Sequence, residues 1–511
     1  MTVKVGIIGG GVGGLAVAWN LHIASNGGVE IHVFEANDRF GGNADTLHFD
    51  FGNGPGFETK PLRRWADMGV NDFNTVAYEN IVRVMDKIGY TKANGDYRAL
   101  EDSTTYYNTK GHAMTDNKTA NGAADPWWGT AMPKALAESA ASFMTKGADD
   151  AEKAAFHDMT MEEYINYGTD KYGWDPRLGP EVIYPRVNGM YFTSGPLGPR
   201  SMPFAAVMHY YKIQEGAGGK ADRNYFVGGS STWIDALVGY MKANMPEIHF
   251  HTGYKAEVEP IGGSGSVGGY EVNNGAPKAT ESIRCDYICL ATPADMALRA
   301  MKGGTDSSNP GLPQAAANIM AQIKYEVAVS VAHTDARLLP VNRNAWSTYN
   351  IVIHEPGSVA LKPYVINYVA NRHQNDAANP EFNKFGLPEF FLSVNPHIPV
   401  SEDKVLKDIN GREATANLSH FVFDFDCMQA QTDIEGQQGK NRIFYASGWT
   451  HGSGLHTECW TQGVDVAGMI VKHIQSDGAS SEQAASGNRA ELISGRLAAA
   501  AAGKAGLEVP C

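Results

Sequence analysis

The chain has 511 residues, which is enough for two or three domains of ordinary size. Its 56 Asp and Glu outnumber its 42 Lys and Arg, and the formal net charge of −14 argues against general binding of nucleic-acid backbones. Hydrophobic residues make up 43% of the chain, which excludes global disorder, and no apolar run approaches the roughly 18 residues that a membrane span needs.

The N-terminus and the cysteines indicate a cytoplasmic protein. The first residues form a short stretch interrupted by glycine, which predicts the first strand of the fold rather than a signal peptide. Five cysteines are spread over the chain, an odd number that predicts no disulfide framework. Cys285 and Cys289 lie four residues apart but lack a second pair, so they predict no zinc site. We expect a reduced protein without a bound metal.

The start of the chain predicts a β–α–β unit. Residues 3–8 form a short, largely apolar run that is followed by glycine, residues 12–22 have helical spacing, and residues 30–35 read as a second strand. Between the first strand and the helix the chain follows the pattern G-x-G-x-x-G. Gly9 permits a tight turn, Gly11 lets a pyrophosphate approach the backbone, and Gly14 lets the helix pack closely on the strand.

An acidic residue lies where such a unit binds ribose. Glu35 ends the second predicted strand, 21 residues beyond Gly14, and its carboxylate can accept hydrogen bonds from a ribose diol. The helix N-terminus offers N–H groups and the positive end of its dipole to phosphates. The alternative is a glycine-rich turn with a surface glutamate. The combination predicts a dinucleotide site that includes Gly13.

Further elements follow along the chain. Residues 94–150 are polar and rich in Asn, Thr, Gly and Ala, and they predict an irregular excursion with some helix. Thr160 and Glu163 have the spacing of a capping box that opens a helix. The remaining pattern predicts a helix over 231–245, strands over 248–251, 286–291 and 327–332, a hairpin loop over 262–269, and a helix over 464–474.

The segment after Glu35 resembles an element of the flavin amine oxidase superfamily. Arg39, Gly41 and Gly42 fit the pattern E-x-x-x-R-x-G-G, in which the arginine and the glycine backbone continue along the pyrophosphate of FAD. Asn43 follows, where amine oxidases usually carry arginine. The resemblance covers most of residues 1–475. The other segments that resemble the family are, in chain order, residues 67–69, 226–237, 255–261, 289–293 and 442–448.

The resemblance implies FAD as a non-covalently bound cofactor. It places Gly69 beside the flavin ring and the backbone of Val258 at the adenine. The family's acid near the ribityl chain is missing here, where Trp449 follows Gly448. The resemblance adds these further positions near the cofactor: Ala291 and Thr292 in the A-T-P turn, and Gly463, whose N–H groups would point at the flavin from the start of the final helix.

Three side chains are candidate catalytic residues. The resemblance to amine oxidases implies that Trp460, three residues before Gly463, forms one wall of an aromatic cage over the flavin, and the alternative is a core tryptophan. His456 could orient substrate or donate a proton near neutral pH, and the alternative is a structural histidine. His333 ends a predicted strand and could reach a cavity, although such residues more often hold a turn.

The expected fold is α/β, with an FAD-binding Rossmann-type domain and a discontinuous substrate domain of mixed sheet and helices. Residues 1–75, 215–300 and 440–475 are assigned to the FAD-binding domain. Residues 76–214 and 301–439 are assigned to the substrate-binding domain, and residues 476–511 form an Ala/Ser/Gly-rich tail.

The expected function is that of an FAD-dependent oxidoreductase that passes a hydride from a substrate carbon to flavin N5. Segments in the middle of the chain resemble a branch of the superfamily associated with modification of fatty acyl chains, so the first hypothesis is oxidation or desaturation of an apolar, acyl-like small molecule. The alternatives are amine or amino-acid oxidation, redox-neutral isomerisation of a double bond, and flavin binding without turnover. The sequence leaves the oligomeric state open.

Overall fold

The computed structural model describes residues 2–52, 62–111, 113–116, 134–191, 198–262, 268–275, 282–302, 311–353, 365–379, 382 and 387–484. These residues form 20 strands and 12 α-helices.

The strands are, in chain order, β1 (Val3–Ile8), β2 (Val29–Phe34), β3 (Thr46–Asp50), β4 (Arg63–Asp67), β5 (Asp72–Asn74), β6 (Tyr97–Ala99), β7 (Thr104–Asn108), β8 (Ala113–Asp116), β9 (Arg223–Phe226), β10 (Ile248–His251), β11 (Ala256–Pro260), β12 (Tyr270–Asn274), β13 (Ile283–Cys285), β14 (Tyr287–Leu290), β15 (Tyr325–His333), β16 (Tyr349–Ile353), β17 (Ile366–Val369), β18 (Phe391–Val394), β19 (Thr415–Phe421) and β20 (Ile443–Tyr445).

The helices are α1 (Val12–Ser25), α2 (Glu79–Ile88), α3 (Lys134–Asp150), α4 (Met161–Tyr172), α5 (Tyr184–Tyr191), α6 (Phe204–Glu215), α7 (Ser231–Asn244), α8 (Ala294–Ala300), α9 (Gln314–Ala321), α10 (Ala370–His373), α11 (Phe425–Glu435) and α12 (His456–Ala484). Thr160 caps α4 in the predicted capping box: its hydroxyl accepts the Glu163 N–H, and the Glu163 carboxylate accepts the Thr160 N–H.

The chain divides into two compact units. Unit 1 comprises Met1–Gly42, Ile234–Ile323 and Asp426–Cys511, and unit 2 comprises Asn43–Trp233 and Lys324–Phe425. Residues 43–75 and 215–233, which the sequence assigns to the FAD-binding domain, therefore pack in unit 2, and residues 301–323 and 426–439 pack in unit 1. The division into a cofactor domain and a substrate domain stays a prediction.

Unit 1 is built on a parallel five-stranded sheet in the order β10–β2–β1–β14–β20. Helix α1 connects the neighbouring parallel strands β1 and β2, which is the Rossmann-like arrangement. An antiparallel sheet of β11, β12 and β13 belongs to the same unit. The prediction of an α/β fold with a Rossmann-type domain is confirmed.

Helix α12 packs along α1, and the contact depends on a glycine. A Cβ added to Gly463 would lie 2.4 Å from the Cβ of Ala16 on α1. The helix begins at His456 and not near residue 464. The Glu458 carboxylate accepts the N–H groups of Ser453 and Leu455 at 3.0 and 2.9 Å, so these two hydrogen-bond donors of the loop before the helix are paired. Gly463 thus lies inside α12, which corrects its expected place at the helix start.

Unit 2 contains a seven-stranded sheet in the order β19–β15–β18–β17–β16–β7–β8. Its pairs are antiparallel except for β16 with β7. Strand β7 has the sequence TTYYN and is buried at all five positions, within a segment, residues 94–150, for which the sequence predicts an irregular excursion with some helix. Its β-branched and aromatic residues suit a pleated surface, and β16 supplies the partner that the local sequence does not show.

A chain of buried hydrogen bonds crosses this sheet. The Nδ1 atom of His333 accepts the Asp335 N–H at 3.0 Å, so the proton of the neutral ring lies on Nε2, which donates to Ser393 Oγ at 2.7 Å. The Ser393 hydroxyl donates to Asn367 Oδ1, and the Asn367 amide donates to the Tyr107 hydroxyl at 2.6 Å. His333 is 0% exposed and has both ring nitrogens engaged, which favours the alternative that it holds a turn; its catalytic role stays a prediction.

Burial also sets the protonation state of this histidine. Removal from water lowers the pKa of His333 from 6.5 to about 4, and Asp335 opposes the shift. The neutral ring is therefore the stable form at neutral pH. Because the unfolded chain binds the proton more readily, His333 contributes stability above pH 6.5, and this contribution is lost as the pH falls towards 4.

Among the described residues, none of the helices is both long enough and apolar enough to cross a bilayer. Helix α12 continues to Ala484, so its last turns cover the start of the predicted tail, and residues 485–511 lie outside the described residues.

We expect Gly463→Val to destabilise unit 1. The added side chain collides with Ala16 and the α1 backbone, and overpacking of this kind costs about 1–3 kcal/mol. Gly468→Val, on the same helix with no atom within 4 Å of its added Cβ, is the matched control. Urea unfolding should show a lower free energy of unfolding for Gly463→Val alone. Equal values for the two variants would contradict the close packing of α1 on α12.

We expect His333→Gln to flatten the acid dependence of stability. The wild-type free energy of unfolding should fall between pH 6.5 and 4, and the variant should lack up to about 1.4 kcal/mol per pH unit of that slope. Ser393→Ala removes the partner of Nε2 but keeps the buried ring, so it should be less stable throughout and retain the slope. Unfolding curves at several pH values test both variants, and an unchanged slope in His333→Gln would refute the assignment.

Candidate cofactor site

The glycine turn between β1 and α1 is packed backbone against backbone. Gly9 has φ +115°, in the left-handed half of conformational space, and its N–H donates to the Phe34 carbonyl at 2.8 Å. A Cβ on Gly9 would lie 2.5 Å from the Ala291 carbonyl oxygen, and one on Gly14 would lie 2.0 Å from the Gly9 carbonyl oxygen. Glycine at these positions therefore lets α1 begin directly beyond β1.

Gly13 is also a packing position. An added Cβ would lie 2.7 Å from the carbonyl oxygen of Ala446, which follows β20. Ala291 and Thr292 lie at the same turn, since the Thr292 methyl group would be 2.8 Å from a Cβ on Gly9. The absent side chains of Gly9, Gly13 and Gly14 are thus explained by contacts inside the protein.

Gly11 differs from the other glycines of the motif. An added Cβ would meet one described atom within 4 Å, the Gly42 Cα at 4.0 Å. Gly11 is the N-cap of α1 and has no side chain that could cap the helix, so the N–H groups of the first turn are left for another acceptor. The open space before this helix fits a phosphate, because N–H groups and the helix dipole both favour an anion there.

A second glycine loop forms the opposite side of this space. The Gly41 N–H donates to the Gly10 carbonyl at 2.8 Å, and Gly41 and Gly42 have φ of +114° and +58°. The Arg39 guanidinium folds back onto this loop and donates to the Gly42 carbonyl at 3.1 Å. The two loops are therefore held together with Gly11 facing Gly42, and we call this space the Gly11–Gly42 cradle.

Glu35 is oriented beside the cradle by three hydrogen bonds. Its Oε2 accepts the Gly10 N–H at 2.9 Å, and its Oε1 accepts the backbone and side-chain N–H groups of Asn37 at 2.9 and 2.7 Å. An ionised carboxylate has about four acceptor sites, so one remains for a ribose hydroxyl. Glu35 is 7% exposed as a residue, and these hydrogen bonds hold its carboxylate close to the backbone of the turn.

Asn43 and Gly69 are brought together in unit 2. The Asn43 carbonyl accepts the Val70 N–H at 3.1 Å, and a Cβ on Gly69 would lie 2.3 Å from that carbonyl oxygen. Asp67 precedes them and is buried; its Oδ1 accepts hydrogen bonds from Thr46 and Ser230. Burial raises the pKa of Asp67 from 3.8 to about 6. This carboxyl group was part of the D-x-G motif but was not among the predicted site residues.

Two predicted cofactor positions in unit 1 are already engaged by the protein. The Val258 carbonyl accepts the Lys302 N–H at 2.8 Å, and the Val258 side chain is fully buried in β11. Trp449 is 2% exposed within a short 3-10 helix, Gly448–Thr450, and its carbonyl accepts the Gln431 amide at 3.0 Å. The position where the family carries an acid is therefore filled by an indole packed in the core of unit 1.

The candidate catalytic residues of α12 also lie in the interior of unit 1. Trp460 is 2% exposed and meets Trp19 of α1 edge to face, with 6.2 Å between ring centroids. This contact supports the interpretation as a core tryptophan. Burial lowers the pKa of His456 from 6.5 to about 4, so its ring is neutral at pH 7 and does not donate a proton as an imidazolium there.

Sequence reasoning missed Glu458. The side chain is 4% exposed, and its Oε2 accepts the Ser453 hydroxyl at 3.1 Å as well as two backbone N–H groups of the loop before α12. A Cβ on Gly452 would overlap the Glu458 carboxylate at 1.9 Å. The signal that could have found this residue is an acid in the first helical turn after a Gly-Ser-Gly loop.

Comparison with known proteins supports the same fold. Residues 7–88 match the model of an NAD(P)-binding Rossmann-like domain. The search of curated proteins finds no match. Two similar solved structures are the cyclohexylamine oxidase of Brevibacterium oxydans IH-35A (14% identity, 93% of this chain and 100% of that chain covered, TM-score 0.57) and a putrescine oxidase (13% identity, 92% and 99% covered, TM-score 0.54).

A third similar structure is a fatty acid isomerase from P. acnes that produces CLA (14% identity, 91% of this chain and 97% of that chain covered, TM-score 0.57). These identities are low, and they establish a shared fold over nearly the whole length of each protein. The chain therefore contains a Rossmann-like domain and shares its overall fold with these three proteins.

Proposed function

We propose that the protein is an FAD-dependent oxidoreductase that removes a hydride from a carbon of an apolar, acyl-like substrate. The observation that carries the cofactor assignment is the Gly11–Gly42 cradle at the start of α1, with the Glu35 carboxylate beside it. A bound FAD supplies the acceptor for the hydride. Binding and orienting the cofactor and the substrate is the task of the protein.

Each part of the cradle has a role in this proposal. The first-turn N–H groups of α1 donate to the pyrophosphate across Gly11, where no side chain intervenes. The free acceptor site of Glu35 takes a hydroxyl of the adenosine ribose. Arg39 fixes the Gly41–Gly42 loop, whose backbone extends the cradle along the pyrophosphate. This second loop favours FAD, because an NAD-only dehydrogenase has no use for it.

The region around α12 supports non-covalent binding. Burial raises the pKa of the Cys459 thiol from 9.0 to about 12, so this cysteine stays protonated and unreactive at neutral pH. Trp449 and Thr450 offer no carboxylate to the ribityl chain, and the Thr450 hydroxyl is already bonded to Ser447 and Gln462. Backbone groups therefore replace the missing acid in this proposal.

Individual residues and the similar structures bear on the substrate class. Asn43 is neutral where amine oxidases of the superfamily carry arginine, which favours a substrate other than an amine. Neither His333 nor His456 is an imidazolium at neutral pH, which suits a hydride removal that needs no strong acid from these side chains. One of the structures with the same fold is a fatty acid isomerase, and two are amine oxidases.

We expect Gly11→Val to fold and to lose the flavin. Gly11 has φ −72°, which valine adopts, and its added atoms enter the open cradle rather than packed protein. Gly239→Val, at an exposed position of α7 in unit 1 with no atom within 4 Å of the new Cβ, is the matched control. The flavin absorbance per protein should approach zero in Gly11→Val and match wild type in Gly239→Val. A fully yellow Gly11→Val protein would place the cofactor elsewhere.

Substrate class is tested by anaerobic bleaching of the flavin. The purified holoprotein is mixed with unsaturated or branched acyl lipids and, separately, with primary and secondary amines. We expect bleaching with at least one acyl lipid and none with amines. Bleaching by amines alone would overturn the acyl proposal and support amine oxidation.

If neither panel bleaches the flavin, the products of the acyl incubations are analysed by mass spectrometry and NMR. A rearranged double bond without a change of mass would identify a redox-neutral isomerase. Unchanged lipids would leave flavin binding without turnover of acyl substrates, and either result would refute the proposed net oxidation.

A further inference from the structure

One face of the parallel sheet in unit 1 carries a cluster of metal-ligating side chains. Glu30 and His32 lie two residues apart on β2, and His249 and His251 lie two residues apart on the edge strand β10. In the parallel register His249 is directly opposite His32. Because side chains alternate across a strand, all four point to the same face of the sheet.

The four side chains are close enough to act together. One ligand atom from each of Glu30, His32 and His249 lies within 4.8 Å of the other two. His32 Nε2 is 2.9 Å from Glu30 Oε1, and His32 Nδ1 is 3.1 Å from His251 Nε2. The rings of His32 and His249 are stacked with centroids 4.9 Å apart.

We propose that Glu30, His32 and His249 bind one divalent ion of the late first-row transition metals, with zinc as the reference ion. Imidazole nitrogen and carboxylate oxygen are ligands that such ions accept, and a set of three leaves a fourth position for water. His251 is a positioning residue. Its Nε2 is hydrogen-bonded to Nδ1 of His32, the ring nitrogen that does not bind the ion, and such partners commonly orient metal-bound histidines.

The geometry needs only local adjustment. Zinc binds nitrogen and oxygen at about 2.0–2.2 Å, so tetrahedral ligand atoms are about 3.3–3.5 Å apart. The Glu30–His32 pair is already near that separation at 2.9 Å. His249 is exposed, so its side chain has room to rotate towards the other two ligands. With the ion on Nε2, His32 carries its proton on Nδ1 and donates it to His251 Nε2.

Lys4 competes with the ion. Its ammonium lies 2.7 Å from Glu30 Oε1, the oxygen that also faces His32. The Lys4 side chain is 41% exposed, so it can move into water when the ion binds. The Lys4 ammonium and a metal ion therefore compete for the Glu30 carboxylate, and removal of the ammonium should tighten metal binding.

This site is separate from the proposed redox function and does not depend on it. An ion held by β2 and β10 cross-links the edge strand of the sheet to its neighbour. Binding to the folded state alone raises stability by mass action, so the expected consequence is a zinc-dependent rise in the unfolding temperature.

The test is zinc titration of the tag-free full-length protein by calorimetry, with metal content measured after dialysis. We expect one zinc ion per wild-type chain. His249→Ala changes an exposed ligand and should raise the Kd by more than about 100-fold, because loss of a partner of a ligand already costs about 10–100-fold. His251→Ala removes such a partner and should raise the Kd by about 10–100-fold. Lys4→Gln should lower the Kd.

His157→Ala removes an exposed histidine of unit 2 and serves as the control for binding to surface imidazoles. It should bind zinc as wild type does. The proposal is overturned if wild type binds no zinc, or if His249→Ala and His157→Ala bind equally. Melting curves with and without zinc give a second readout: a rise in wild type that persists in His249→Ala would place the ion elsewhere.

Discussion

The structure of unit 1 depends on the absence of side chains where β1 meets α1. Gly9 and Gly14 let the backbone of the turn contact Ala291 and itself at distances that no Cβ allows. The same closeness places Gly11 opposite Gly42 and brings the Gly10 N–H onto the Glu35 carboxylate. The space proposed for a phosphate is thus a by-product of tight packing: Gly9, Gly13 and Gly14 serve the protein's own contacts, and Gly11 leaves room for a ligand.

Unit 2 shows how burial changes the role that a titratable residue can have. His333 looked like a candidate for acid–base chemistry, yet strands β15, β18, β17 and β7 each contribute one member of a hydrogen-bonded row in which its ring is neutral. The row satisfies polar groups that would otherwise be costly in the interior of a sheet. His249, on the edge strand of the sheet in unit 1, is instead exposed, and it lies beside the potential metal ligands His32 and Glu30.

The edge strand β10 shows that a regular alternation of apolar and polar residues can include side chains with a possible function. Its apolar residues face the interior in the usual way, while His249 and His251 occupy the other face. Each histidine alone is unremarkable in sequence. Parallel pairing in register with β2 sets them beside Glu30 and His32, which lie more than 200 positions earlier in the chain.

The sequence by itself determined the β–α–β start, the glycine motif, the acid at residue 35 and the superfamily resemblance, because these are local patterns whose spacing is imposed by backbone geometry. It also identified the Thr160 capping box for the same reason. Only the tertiary structure decided that β7 is an interior strand, that Gly463 serves helix packing, and that Trp460 and His333 are buried. Those outcomes depend on partners distant in the chain, and desolvation by such partners, rather than residue type, sets whether a side chain is reactive.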